Sequence, residues 1–86
     1  MTHELKILPQ FFEAVLSGAK TFEVRKDDRP YKVGDTLVLK ETAAHGFSGR
    51  EKAVKVTYIL RDNNYVKEGF CIMGIHINCP ECIKED

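Results

Sequence analysis

The sequence predicts an α+β, mainly β domain: a small β-barrel of about five strands with one N-terminal helix. Two observations lead there. Five short runs carry strand character, two of them with apolar residues alternating at a period of two, and a single stretch carries helical spacing. The connections between them are short, and a five-stranded sheet in so few residues favours closure or near-closure, because closing removes edges that an open sheet leaves bare.

Taken in order, "LKIL" (5–8) reads as a strand, and Pro9 follows where the first residue of a helix tolerates a missing N–H. Phe11, Phe12, Val15 and Leu16 share one face of a 3.6-residue period, and Gly18 stands where a left-handed residue ends a helix. From Thr21 the period becomes two. Phe22 and Val24 are expected on the core face, with Thr21, Glu23 and Arg25 together on the polar one. "DDRPYKVGD" (27–35) has the composition of a turn-rich loop, and "TLVLKE" (36–41) is the next β-type run. A loop is predicted over 42–51, then a strand over 52–60 with Val54, Val56, Tyr58 and Leu60 on one face. A polar loop over 61–69 precedes "FCIMGIHI" (70–77), a continuous apolar run of the fully buried kind.

The totals set bounds. Eighty-six residues make one domain, divided here into a barrel over 1–78 and a tail over 79–86. With 43% hydrophobic and 30% charged residues the chain has the composition of a globular protein, and its apolar runs fall short of the ~20 residues of a membrane helix. "MTHELKIL" shows no signal-peptide pattern, so a cytoplasmic location is expected. Three cysteines, Cys71, Cys79 and Cys82, are an odd count that argues against a disulfide framework. "CPEC" is a lone C-x-x-C whose nearest further ligands for zinc are Cys71 and His76, on a predicted strand. No metal or cofactor is expected.

Thirteen basic and thirteen acidic residues cancel, so any attraction to nucleic acid comes from a local patch. Residues 20–32 supply one, with five basic against three acidic side chains. Glu23 and Arg25 project to the same strand face and can pair. Arg25 offers a planar fork to a phosphate or a base edge, Lys20 a point charge, and Glu23 an acceptor for an exocyclic amine. Lys26, Arg29 and Lys32 are placed to contact a flanking backbone. Tyr31, Phe47 and Tyr65 lie at strand connections where a splayed base could stack. Of the histidines, His45 reads as a solvent-exposed loop residue and His76 as structural, while His3 is uninformative.

The string Gly18-x-Lys20-x-x-Glu23-x-Arg25, after a helix ending in glycine and before "KVGD" (32–35), resembles the ASCH domain, a relative of the PUA domain with the same small barrel. The order of elements matches over nearly the whole chain, and "KEGFCIMGI" (67–75) resembles its closing strand. The resemblance implies an RNA- or modified-nucleotide-binding module with a cleft at Lys20, Thr21, Glu23 and Arg25. It also implies an alternative, a small amidohydrolase acting on an N-acylated nucleobase such as N4-acetylcytidine. In those enzymes the motif's lysine works with a threonine three residues on. Here that position is Glu23, leaving Thr21 as a substitute nucleophile or Glu23 as a general base, with Glu41, Asp62 and Glu68 as candidate assisting acids. A third reading is a protein-interaction module using the 79–86 tail.

Overall fold

The computed structural model describes residues 1–77. The tail, with Cys79 and Cys82, and the 78/79 domain boundary therefore lie outside the described residues. The elements are β1 (Thr2–Ile7), α1 (Pro9–Leu16), β2 (Phe22–Lys26), β3 (Thr36–Ala43), β4 (Gly46–Leu60) and β5 (Phe70–Ile77). They form one five-stranded sheet in the order β1-β3-β4-β5-β2, curled into a half-barrel. The β1–β3 pair is parallel and the rest are antiparallel. The fold class is the one the sequence predicts. The barrel is not closed by hydrogen bonding between strands, however: β1 and β2 are the sheet's two edges.

Helix α1 begins at Pro9 with Leu8 as an extended N-cap, and ends where Gly18 takes φ +84°. That left-handed turn admits glycine without the Cβ penalty and sends Lys20 back against the helix, its N–H donating to the Ala14 carbonyl at 3.0 Å. Phe12 and Val15 enter the core beside Leu5, Ile7, Leu37, Leu39, Val54, Val56, Cys71, Met73 and Ile75. Each large apolar side chain so buried contributes roughly 1.5–3 kcal/mol. Burial also pushes the Cys71 thiol up, so it is an inert core group rather than a thiolate nucleophile.

Four expectations about the strands are corrected. The region 42–51 is not a loop but a tight hairpin, with Ala43 paired to Gly46 across a two-residue turn at Ala44 and His45. The register shifts between Lys40 and Thr42, so that Glu41 faces the Ser48–Arg50 segment, where Gly49 takes φ +98°. In β4 a second shift between Val56 and Tyr58 breaks the alternation: Tyr58 is exposed and Ile59 packs against the core. In β5 the apolar run is not buried throughout. Cys71, Met73 and Ile75 face the core, while His76 is exposed.

The fourth correction bears on function. Strand β2 is inverted relative to its apolar pattern: Glu23 is buried at 3% exposure, while Phe22 and Val24 stand 45% and 51% exposed. The physical reason is at the two neighbouring positions. Glu23 turns inward with Lys20 and Arg25 beside it, so its carboxylate enters the half-barrel already paired, at much lower cost than a lone buried charge.

Candidate functional site

The open seam between β1 and β2 is where the charged motif lies. Lys20 Nζ donates to Glu23 Oε2 and, at 2.6 Å, to the Phe22 carbonyl. From the other side Arg25 Nε donates to Glu23 Oε1 at 3.0 Å. The same guanidinium reaches across the gap, its Nη2 donating to the Lys6 carbonyl of β1 at 2.6 Å. One turn of the loop further on, Arg29 Nη1 donates to the Glu4 carbonyl of β1 at 3.2 Å. Two arginines from one side of the seam thus satisfy edge carbonyls on the other, a closure made by side chains instead of a strand ladder.

Two adjoining depressions follow the seam. The first, about 380 Å³, has Lys20, Glu23 and Arg25 on one side and Lys6, Ile7 and Leu8 on the other, with Phe11, Phe22 and Val24 also lining it. Lys20 Nζ lies 5.8 and 5.0 Å from the ring centroids of Phe11 and Phe22, so the ammonium sits between two partly exposed aromatic faces. The second, about 320 Å³, is bounded by Glu4, Leu5, Lys6, Arg25, Arg29, Lys40 and Phe47.

Of the residues expected at a site, Lys20, Glu23 and Arg25 line the first depression, and Arg25 and Arg29 the second. Thr21 lines neither; it borders a separate hollow of about 220 Å³ with Val15, Gly18, Lys20 and the end of β5. Lys26 and Lys32 are exposed and line none of the three. Tyr31 is corrected from stacking platform to core residue. It is 3% exposed, its ring meets His3 edge-on at 4.8 Å, and burial pushes its hydroxyl pKa up. Phe47 is at the seam under Lys40, 5.6 Å from the ring centroid, whereas Tyr65 is exposed and lines none of these depressions.

Sequence reasoning missed Lys6, Lys40, Phe11 and Phe22 as seam residues. Phe11 and Phe22 were assigned to apolar faces by period alone, and the paired charges at Lys20, Glu23 and Arg25 were the available sign that β2 presents its polar face inward. It also missed His3. His3 Nε2 and Asp35 Oδ2 form a buried contact of 2.8 Å, and Asp35 accepts from the Lys32 N–H at 3.0 Å and from the Met1 amino group at 3.1 Å. These bonds, His3's first, hold the Asp35 carboxyl at a pKa of about 2. This pins the Lys32–Asp35 turn to β1.

Glu41 forms a second inward-facing carboxylate. Arg50 donates to its two oxygens at 2.9 Å each and Ser48 Oγ at 2.7 Å, while Arg50 also reaches Glu13 of α1 at 2.5 Å and covers the Phe12 ring. Hydrogen bonds from Arg50 first, then Ser48, hold the Glu41 carboxyl below its usual range, and the same contacts push the Arg50 pKa up. The cluster ties helix to hairpin and lies off the seam. Among the described residues no group of three or more His, Cys, Asp or Glu side chains is arranged to hold a metal, and no helix is long and apolar enough to cross a membrane.

Fold and seam together define a small half-barrel whose unpaired edges enclose a cation-rich cleft over a buried carboxylate. The chain belongs to the family described as a domain of unknown function, DUF3850, whose model matches residues 2–75. An uncharacterized 12.9 kDa protein in the GpA 3′ region of Escherichia phage P2 is similar, with 36% identity over 66 residues. That match covers 77% of this chain and 61% of the phage protein, so the chain spans less than two thirds of that relative's length.

Proposed function

We propose that the seam cleft binds one nucleotide of a single-stranded or base-flipped RNA, a modified base included. The observation that carries this reading is the fixed pair of cations over a buried carboxylate, set between two exposed phenylalanines. Arg25 has five N–H donors and spends two, on Glu23 and on Lys6, leaving three without a partner among the described residues. Glu23 serves to hold Arg25 and Lys20 in place, so their donors meet a ligand pre-oriented. Phe11 and Phe22 supply faces on which a base stacks, an interaction worth about 1–3 kcal/mol per base. The likeness of Gly18-x-Lys20-x-x-Glu23-x-Arg25 to the ASCH pattern supports the same reading.

The hydrolytic alternative has less to support it. Thr21 borders a different hollow, and Glu23 is engaged on both oxygens by cations. The test follows binding and turnover together. Fluorescein-labelled single-stranded RNA is titrated by anisotropy, and a panel of nucleosides including N4-acetylcytidine is assayed for product. The expected result is salt-sensitive RNA binding without turnover, weakened at least about tenfold in Arg25→Ala and partly restored in Arg25→Lys. An Arg25→Ala protein that is folded and binds RNA as well as wild type removes the cleft assignment. Turnover that disappears in Lys20→Ala replaces the binding module with the amidohydrolase.

A further inference from the structure

The second depression along the seam is lined by more basic side chains than the first, and Glu23 is not among its lining residues. It brings Lys6, Arg25, Arg29 and Lys40 around a single carboxylate, that of Glu4. Even with Arg25 paired to Glu23 from the first depression, Lys6, Arg29 and Lys40 face the single carboxylate of Glu4, a local excess of positive charge in a chain that is neutral as a whole. Glu4 itself is a weak competitor. Its side chain is mostly exposed, and its contact with Lys40 Nζ is long at 3.4 Å, so an incoming anion displaces it readily.

The donors there are free in a particular way. Arg29 uses one N–H on the Glu4 carbonyl, which anchors the guanidinium at the seam and leaves the others open among the described residues. Lys6 Nζ has no hydrogen-bond or ion-pair partner among the described residues, and it borders both depressions, as does Arg25. A ligand seated in the first depression therefore meets this group of cations without leaving the seam. A planar fork beside flexible ammonium groups is the donor set that tetrahedral phosphate oxygens engage best.

We propose that this second depression is a phosphate subsite, formed by Arg29 and Lys40 with Lys6 and Arg25, for the phosphodiester adjoining the nucleotide held in the first. The inference rests on the nucleotide-binding reading and narrows it: the ligand is a phosphorylated nucleotide or an RNA strand, not a free nucleoside. It also moves the backbone contacts from Lys26 and Lys32 to residues on β1 and β3.

The probe is a 5′-fluorescein ten-nucleotide RNA of mixed sequence, titrated by anisotropy across a salt series with wild type, Lys40→Gln, and the Arg29→Gln/Lys40→Gln pair. Lys40 is a partly exposed side chain with one long ion pair, so its replacement is expected to leave the fold intact and to stand as an independent readout if the double variant is unstable. Loss of the one subsite phosphate is expected to reduce the slope of log affinity against log salt by about 0.7 in the pair and by less in Lys40→Gln alone, with affinity of the pair at low salt falling at least about tenfold. Lys26→Gln/Lys32→Gln serves as the control and leaves the slope near wild type. Wild-type binding with an undiminished slope in the seam variants overturns the subsite while leaving the nucleotide reading in place. Absence of binding by wild type overturns both.

Discussion

Arg25 Nη2 lies 2.6 Å from the main-chain oxygen of Lys6, on a strand to which Arg25's own strand is not paired. With Nε on Glu23 at 3.0 Å, one guanidinium links a buried carboxylate, the β2 edge and the β1 edge. Removing either partner of the ion pair has unequal consequences. Glu23→Gln keeps the shape and leaves two cations that reach solvent, so it is expected to cost about 1–2 kcal/mol. Arg25→Ala strands the buried carboxylate with Lys20 alone and frees an edge carbonyl, and is expected to cost more, about 2–4 kcal/mol. Urea denaturation of the two variants decides the matter: equal losses would mean that the carboxylate is not as dependent on Arg25 as the geometry requires.

The stacking proposed for Phe11 and Phe22 separates binding from stability. Both rings are partly exposed, so Phe22→Ala should lower folding stability by no more than about 1 kcal/mol while weakening RNA binding by about 1–3 kcal/mol. The adjacent Phe12 is the contrast. Buried at the helix–sheet contact, its replacement by alanine should cost about 3–5 kcal/mol. Thermal melts alongside anisotropy titrations check this, and an unchanged affinity in Phe22→Ala would exclude stacking on that ring.

Asp35 sets an acid limit. Its folded-state pKa of about 2 lies below its ordinary 3.8, so the stability it contributes is present in full above pH ~4 and is lost as pH falls toward 2. Asp35→Asn should therefore be less stable than wild type at pH 6, and the difference should shrink steadily on acidification through that window. A gap between the two proteins that stays constant from pH 6 to pH 2.5 would show that the His3 contact does not stabilise the ionised carboxylate.

Gly18 links backbone conformation to the cleft. At φ +84° with nothing within 4 Å of an added Cβ, Gly18→Ala meets no clash and suffers only the left-handed penalty, about 1–2 kcal/mol. Because the turn positions Lys20, the variant should also bind RNA more weakly than its stability loss explains. An alanine at this position that leaves melting temperature and affinity unchanged would remove the argument.

Much of the fold was legible because period and punctuation agree: Pro9 and Gly18 bracket α1, and the β-type runs at 36–41, 52–60 and 70–77 became β3, β4 and β5. What failed were places where one residue changes the phase. The bulge before Tyr58 and the pairing of Ala43 with Gly46 are set by tertiary register, which no local pattern encodes. At β2 the apolar pattern misled because Glu23 enters the interior paired with Lys20 and Arg25, which leaves Phe22 and Val24 on the exposed side. The Lys20, Glu23 and Arg25 grouping was readable from strand geometry; the contributions of Lys6 and Lys40 were not, since they arrive from strands distant in sequence. His3 was invisible for the same reason, its meaning resting on a turn 32 residues away.

The absence of a ladder between β1 and β2 also sets how this half-barrel yields. A sheet closed by backbone pairing must break consecutive main-chain bonds before its wall can part. Here the two walls are held across the seam by Arg25 and Arg29 on two carbonyls, and both contacts belong to long side chains that can re-seat as the gap widens. The width of the slot thus follows the reach of two arginines, and parting its walls there breaks two side-chain hydrogen bonds instead of a run of main-chain ones.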